Sequence, residues 1–497
     1  MLLLGIDLGT TNCKACVYDF QGKYIDGFSF RTPTNFPFKG WAEYNPNEIW
    51  GNLLSGIKDL ILRTRTYGTI KSLSISSQSE SGLLLNKIGK PLTPIIVWHD
   101  ERTIEILKWW EQNISKEELY ATTGLTLNFI YSLLKIQWLK ENRSGVFKEA
   151  YSWMCMPDYF LYLLCGKKTI DYSTASRTMA FDIVHCNWSK SLLNMSNISE
   201  QLLSKPVPSG TVLGTILPSV ASESGLDRNT VVCAGGHDHM CGSLAVGMIT
   251  PERIVASIGT TESVCALSFN YPKDTEKLRN GGYTIGRYVI PELYYLLGGM
   301  PSGGLTIEWA IKTLLGRKIN IAFYKKFITL CNQAKLGSSN LLFLPHLRGC
   351  VTPKIDPKAR GAFVGLSSEH LQADLCRSVV EGLSYEFRLV LESMTVNLPA
   401  TIKAIGGGVK NKFWVQTKAD VLGIPIAIPQ IKDATTLGAA ILAGVGAGIY
   451  QSFSHALKNI QFSEELVEPN LINYNFYNEV YEQKYKNLYE SLNNITK

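Results

Sequence analysis

The residues of this chain best placed to do chemistry are Gly235-Gly236-His237-Asp238-His239, which follow the apolar run Val231 to Ala234. An apolar strand running into two glycines delivers a carboxylate at a loop tip, and the small residues Gly242, Ser243, Ala245 and Gly247 follow. A carboxylate positioned in this way can take the proton of an alcohol as a new bond forms to its oxygen, help worth about 10² to 10⁴ in rate. Two other readings fit the same triplet. His237 and His239 alternate as zinc ligands do, although no third ligand stands nearby, and a plain solvated loop has the same composition.

A second set of residues suits phosphate. Ile6-Asp7-Leu8-Gly9-Thr10-Thr11 near the start is echoed by Ala256-Ser257-Ile258-Gly259-Thr260-Thr261, 250 positions later. A strand ending in Gly-Thr-Thr offers a glycine that lets the backbone approach, exposed N–H groups and hydroxyl donors. Two such tips facing each other would clamp a polyphosphate, and Asp7 stands where a carboxylate can hold the shell of a Mg²⁺ ion. Taken alone, the pair also fits two ordinary hairpin turns. Farther on, Ala404-Ile405-Gly406-Gly407-Gly408 ends a strand, and Lys410 opens a helical pattern through Phe413, Val415, Ala419 and Leu422. Asp433 then caps a helix rich in small residues from Ala434 onward, suited to close packing.

These residues need elements to hold them. Leu2 to Ile6 and Cys13 to Tyr18 read as two strands joined by a polar tip, and Gln21-Gly22 turns into a third. From Asn45 the pattern becomes helical: Pro46 takes a first-turn position, Glu48 completes a capping-box spacing, and Ile49, Trp50, Leu53, Leu54, Ile57, Leu60 and Ile61 form one apolar face. Strands are expected at Ser72 to Ser76, Gly82 to Asn86 and Val231 to Ala234, with helices near Thr103 to Gln112 and Leu133 to Glu141. Strands alternating with amphipathic helices predict an α/β fold with a parallel or mixed sheet.

Bulk properties bound the rest. At 497 residues, two domains of about 250 residues each are expected. With 45% hydrophobic and 18% charged residues the chain reads as globular. Its net charge of +7 is dispersed, and Lys410 to Lys418, the densest basic stretch, holds three lysines, which argues against a nucleic-acid partner. The opening Met1-Leu2-Leu3-Leu4 is too short for a signal peptide or a membrane span, so a cytoplasmic protein is expected. Eleven irregularly spaced cysteines fit a reducing compartment. Cys13 and Cys16 form a C-x-x-C within a strand, where they point to opposite faces and make a poor metal or redox pair.

Two long patterns are more specific than any glycine loop: Ser132-Leu133-Leu134-Lys135-Ile136-Gln137-Trp138-Leu139 with Glu141-Asn142, and Gly361-Ala362-Phe363-Val364-Gly365-Leu366 leading to Ser378-Val379-Val380-Glu381. With Trp98-His99-Asp100-Glu101-Arg102, Pro157-Asp158-Tyr159, Asp171-Tyr172-Ser173, Phe181-Asp182, Phe343-Leu344-Pro345 and Asp356-Pro357, they make the chain from Leu3 to about Tyr450 resemble the FGGY family of carbohydrate kinases. The resemblance implies two actin-like ATPase domains of ribonuclease-H-like topology flanking a cleft. Residues 1–247 would carry the sugar site and first phosphate loop, and residues 248–497 the nucleotide site. It also implies ATP and Mg²⁺, with Asp238 as the catalytic base and Asp7, acting through water, and Asp238 near the metal. The first phosphate loop would fall on Asp7, Gly9, Thr10 and Thr11, with Lys14 approaching the phosphates, and the second on Gly259 and Thr260. Nucleotide contacts would fall on Gly304, Gly407, Gly408 and Asn411, with Glu308 where a glutamine is common. The partner implied is a small sugar or polyol, with no nucleic acid and no membrane, and a homodimer is left open.

The acceptor residues depart from the familiar subfamilies. Xylulokinases carry Gln-Met-His-Gly, and glycerol kinases Gln-Arg-Glu-Thr, where this chain has Gln78-Ser79-Glu80-Ser81-Gly82. The tyrosine that helps hold glycerol falls on Ile130. Substrate contacts are expected from Gln78, Ser79, Glu80, Trp98, Asp238 and His239, Trp98 giving an apolar wall and the short Ser79 leaving room for an acceptor longer than glycerol. Two carboxylates favour a neutral polyhydroxylated acceptor over an anionic one. A ketopentose such as xylulose, a pentitol or a tetritol fits best. The alternatives are a glycerol kinase-like activity, an inactive actin-like sugar or nucleotide sensor, and, for Glu80, an exposed turn carboxylate.

Overall fold

A computed structural model of the chain describes residues 1–316, 319–394 and 398–496. Two mixed sheets follow the same plan. The first contains β1 (Leu2–Leu8), β2 (Asn12–Asp19), β3 (Tyr24–Arg31), β4 (Ile70–Ser77), β5 (Val212–Thr215), β6 (Val231–Cys233) and the short β7 (Gly236–His237). Its order is β5-β6-β4-β1-β2-β3, with β7 also pairing β4. β1, β4 and β6 run parallel, and β2, β3 and β5 run antiparallel to their neighbours.

The second sheet contains β8 (Ile254–Ile258), β9 (Glu262–Ser268), β10 (Thr284–Arg287), β11 (Tyr294–Met300), β13 (Ile402–Ile405), β14 (Ile426–Pro429) and β15 (Glu464–Val467), in the order β10-β11-β9-β8-β13-β14-β15, while β12 (Leu342–Leu344) lies outside it. Here β8, β13 and β14 are parallel and the flanking strands antiparallel. The hairpin β1–β2 therefore has its counterpart in β8–β9, and the repeated Gly-Thr-Thr occupies the tip of each.

The first helix arises where the pattern predicts. α1 (Pro46–Thr64) starts with the Asn45 side chain accepting from the N–H groups of Asn47 and Glu48, and it buries Ile49, Leu53, Leu54, Ile57 and Leu60. α2 (Asp238–Ala245), α3 (Gly304–Leu314), α4 (Gln372–Met394), α5 (Lys412–Leu422) and α6 (Ala434–Gly446) complete the elements needed for the site. Between β13 and α5, residues Gly407–Lys410 form a short 3₁₀ turn, so the helix expected from Lys410 begins two residues later.

The two sheets sandwich α2 and α6 in a shared core. Leu3, Tyr18, Met240, Val255, Cys265 and Ile441 belong to one cluster drawn from both halves of the chain. α6 lies against β1, β4 and α2. Its backbone comes so close to β1 that a Cβ on Gly5 would stand 1.8 Å from the Thr436 carbonyl oxygen. α6, although it comes late in the sequence, thus packs on the first sheet. Cys13 joins the core on one side of the first sheet and Cys16 the one on the other, and every described cysteine is unpaired. No helix among the described residues is long and apolar enough to cross a membrane.

Candidate active site

Asp238 is the first residue of α2, and not the tip of a loop as the sequence suggests. The difference follows from β7, which pairs with β4 and carries the chain into the helix while the backbone N–H of His237 is held by Ser173 Oγ at 2.9 Å. A carboxylate in the first helical turn faces free backbone N–H groups and the positive end of the helix dipole. His237 Nε2 stands 3.5 Å from the carboxylate. Burial pushes the Asp238 carboxyl up, and His237, His239, the His239 N–H and Arg177 more than offset it, leaving the group below its ordinary value. Burial drives the His237 imidazole down to about 4, so it is neutral at pH 7. The rings of His237 and His239 stack, with centroids 5.4 Å apart. No third donor joins them among the described residues, which disfavours the metal reading of this pair.

Around Asp238 opens a cleft of about 860 Å³ lined by Lys14, His239, Gly407, Lys410 and Asp433 among others. Lys14 Nζ bonds Asp433 Oδ2 at 2.7 Å, tying β2 to the residue that caps α6. Asp7 is buried behind the first hairpin and takes a long bond of 3.4 Å from Ser76 Oγ. Burial, then the charges of Asp238 and Asp433, raise its carboxyl to about 8, against the pull of Lys14. Three carboxyl groups with one lysine among them form a pocket whose crowding a divalent cation would relieve. Their oxygens do not gather to within 4.8 Å of one another, so the set suits Mg²⁺ held through its water shell.

The second hairpin is gripped by backbone. Gly259 accepts from Gly304 N–H at 2.8 Å and Thr260 from Leu305 N–H at 3.0 Å. A Cβ on Gly304 would lie 2.9 Å from the Gly259 carbonyl oxygen. Gly406, at φ +99°, is pressed against Ile258, where an added Cβ would meet the carbonyl oxygen at 2.5 Å. Gly408 also packs on Ile258, while Gly407 faces open space. Asn411 spends its side chain capping α5, accepting from Trp414 N–H. Glu308, one turn into α3, accepts from Tyr324. Of the expected nucleotide residues, only Lys14 and Gly407 line the large cleft itself. Gly408 packs on Ile258 and Gly304 on Gly259 and Thr260, while Asn411 caps α5 and Glu308 lies in α3.

The acceptor residues form a buried polar nest. Glu80 is buried, not the exposed turn carboxylate of the alternative reading, and is bridged to Arg177 at 2.6 Å. Burial raises the Glu80 carboxyl, but Arg177, His237 and Lys135 hold it below its ordinary value. Lys135 is fully buried and drops to about 8 through burial, bonding the Ile130 and Trp98 carbonyls. Arg177 and Lys135 thus place two cations beside Glu80. Gln78 accepts from Thr10 Oγ1 at 2.6 Å, and the Trp98 indole N–H donates to the same hydroxyl at 3.0 Å. Trp98 is therefore half a wall and half a hydrogen-bond donor. Ser79 is fully buried with its hydroxyl unpaired.

The chain matches the N-terminal domain of the FGGY family of carbohydrate kinases over residues 2–245 and its C-terminal domain over residues 254–447. The xylulose kinase of Staphylococcus xylosus is 30% identical over 455 residues, covering 91% of this chain and 92% of that protein. This chain belongs to the FGGY family of carbohydrate kinases. The gluconokinase of Bacillus subtilis is 28% identical, over 91% of this chain and 88% of its own. Among solved structures, a ligand-bound xylulose kinase from Lactobacillus acidophilus superposes with a TM-score of 0.91 at 26% identity, covering 100% of this chain and 99% of that one.

The FGGY kinase described here is thus an ATP-using phosphotransferase of actin-like ATPase fold acting on a sugar or polyol. Reading the sequence missed Arg177, Lys135 and Asp433 as charged neighbours of the reacting groups. Lys135 could have been found as a lone cation among Leu133, Leu134 and Ile136. Arg177, four residues past Ser173, has no such signal, because only the fold brings it to Glu80.

Proposed function

We propose that this FGGY kinase transfers the terminal phosphoryl group of ATP to a hydroxyl of a ketopentose such as xylulose, or of a pentitol or tetritol, with Asp238 as general base. The observation that carries the reading is the placement of an ionised Asp238 between two environments. On one side lies the Gln78, Glu80 and Arg177 nest, on the other the phosphate hairpins and the lysine-lined cleft. Glu80 and Arg177 orient the acceptor hydroxyls, Asp238 removes the proton of the attacking one, and Thr10 links that nest to the first phosphate tip. When bound, Mg²⁺ neutralises charge on the transferring phosphate. Asp7 and Asp238 would hold its water shell, and Lys14, Gly259 and Thr260 would position the phosphates. The eleven thiols are suited to a reducing cytoplasm.

A second reading, a kinase for an aldonate such as gluconate, is favoured by one observation: Arg177 and Lys135 place two positive charges at the acceptor end. Coupled ADP-release assays over ketoses, pentitols, tetritols, glycerol and aldonates separate the two. A rate that rises with a ketopentose or polyol supports the first reading, one that rises only with an aldonate the second. Sugar-independent hydrolysis alone would sink both.

A further inference from the structure

Outside the cleft, one group of side chains serves neither acceptor nor nucleotide. His346 lies two residues past β12, Cys350 follows Gly349 at φ +81° in the next turn, and Glu386 projects from the middle of α4. One donor atom from each, a ring nitrogen, the sulfur and a carboxylate oxygen, lies within 4.8 Å of the other two. It is the one such set of three among the described residues. All three side chains are buried, at 3%, 5% and 3% exposure.

The surroundings hold the donors in place. Cys350 and Asp356 exchange both backbone hydrogen bonds, at 2.8 and 2.9 Å, which fixes the turn. Tyr485 donates to Glu386 Oε2 at 3.0 Å, Tyr489 donates to Asp356, and the Tyr489 ring packs on His346. His346 Nε2 already meets Glu386 Oε1 at 3.1 Å, whereas Nδ1 is buried with no partner at ordinary hydrogen-bond geometry. Leaving a buried polar atom so is costly, and in a native structure it points to a missing ligand. A cavity of about 490 Å³, lined in part by Lys354, Tyr489 and Glu490, adjoins the group and leaves room for an entry path and a water.

From these observations we infer that His346, Cys350 and Glu386 bind one divalent ion of the zinc class, at a structural site separate from the Mg²⁺ of the cleft. Nitrogen, sulfur and carboxylate donors suit zinc, whereas Mg²⁺ takes oxygens. A neutral imidazole, a thiolate and a carboxylate balance two positive charges, so the filled site is electrically neutral in a place where net charge is expensive. Binding breaks the Cys350 S–H bond and takes one proton from the His346 imidazole, which its ion pair with Glu386 holds charged in the empty site; metal–sulfur and metal–nitrogen bonds form and both protons pass to solvent. Drawing the donors to coordination distances needs side-chain shifts of about 1 Å. The ion pins the 346–356 segment to α4 and, through Tyr485 and Tyr489, to the C-terminal helices.

Cobalt(II) titration of the full-length, metal-stripped protein in excess Mg²⁺ tests this. One equivalent should produce a thiolate-to-cobalt absorption band in the near ultraviolet that Zn²⁺ bleaches by displacement. Cys350→Ser should abolish the band and His346→Gln should weaken Co²⁺ binding at least 10-fold. Absence of the band in the wild-type protein overturns the inference without recourse to any variant. So does a band of unchanged strength in a folded variant, and His346→Gln supplies that comparison if Cys350→Ser does not fold.

Discussion

At the first Gly-Thr-Thr tip, Thr10 donates its hydroxyl to Gln78 and accepts from Trp98, so side chains of the acceptor nest grip the hairpin. At the second tip the grip is made by backbone: Gly259 and Thr260 give their carbonyl oxygens to the N–H groups of Gly304 and Leu305, and the Gly259 N–H donates to the Thr261 carbonyl. The strand behind each tip differs too. Behind the first lies Asp7, a carboxyl crowded by Asp238 and Asp433. Behind the second lies Glu262, bridged to Lys418 at 2.8 Å with neither side chain exposed, and Lys418 sits 3.9 Å above the Phe387 ring. One backbone device has thus been put to two uses. In the proposed reaction the first hairpin would couple acceptor, base and metal, while the second is a fixed grip whose Glu262 and Lys418 charges are already paired.

The largest expected effect tests that division at the base. Asp238→Asn should lower the rate of acceptor-dependent ADP release by about 10² to 10⁴ and leave nucleotide affinity, measured by calorimetry, within a few-fold of the parent. An equal collapse of nucleotide binding would break the distinction between the two hairpins. At the second hairpin, Lys418→Met should cost about 3–5 kcal/mol in urea unfolding by leaving Glu262 buried alone. The double change with Glu262→Leu should recover most of it.

A smaller effect separates the hairpins by pH. Asp7 has its carboxyl raised from 3.8 to about 8, so between those values the folded state holds a proton that the unfolded state has lost. Stability therefore falls as pH rises through this window, by up to about 1.4 kcal/mol per unit. Asp7→Asn should remove that component, seen as a flatter dependence of unfolding free energy between pH 5 and 7.5, and saturating Mg²⁺ should flatten the parent in the same way. A variant with an unchanged slope would show that the crowding at Asp7 is relieved otherwise. The smallest effect is expected at Thr10→Val, which deletes the bonds to Gln78 and Trp98. A loss of about 1 kcal/mol, roughly 5-fold in kcat/KM for the acceptor, should appear, with the KM for ATP moving less. Equal changes in both would mean that the first tip is as indifferent to the acceptor as the second.

Much of this was legible in the order of residues. The strands from Leu2 to Tyr18, the helix capped by Asn45, the cap at Asp433 and the repeat of Gly-Thr-Thr are local signals, each set by neighbours within a few positions. The family patterns carried the fold and the phosphotransferase chemistry. What stayed hidden is long-range. Arg177 reaches Glu80 across 97 positions, and Lys14 meets Asp433 across 419. Charge pairs of this kind leave no periodicity, and without Arg177 the Glu80 carboxylate reads as an unpaired negative charge. The 3₁₀ turn at Gly407–Lys410 and the short strand before Asp238 were missed for another reason. Each depends on a neighbouring strand, Ile258 of β8 in one case and β4 in the other.

The crossing of α6 beneath the first sheet bears on how such a chain can be divided. Two glycines, Gly5 against Thr436 and Gly438 against Cys241, seat this helix with its backbone touching the backbone of residues that precede it by hundreds of positions. The first half of the sequence does not own all of its interior, since one layer is lent by the second. A gene split between the repeats would leave the N-terminal fragment with a greasy face that only its missing partner can cover. The twofold appearance of the chain is therefore a record of its repetition, whereas the folded object behaves as a single interlocked unit.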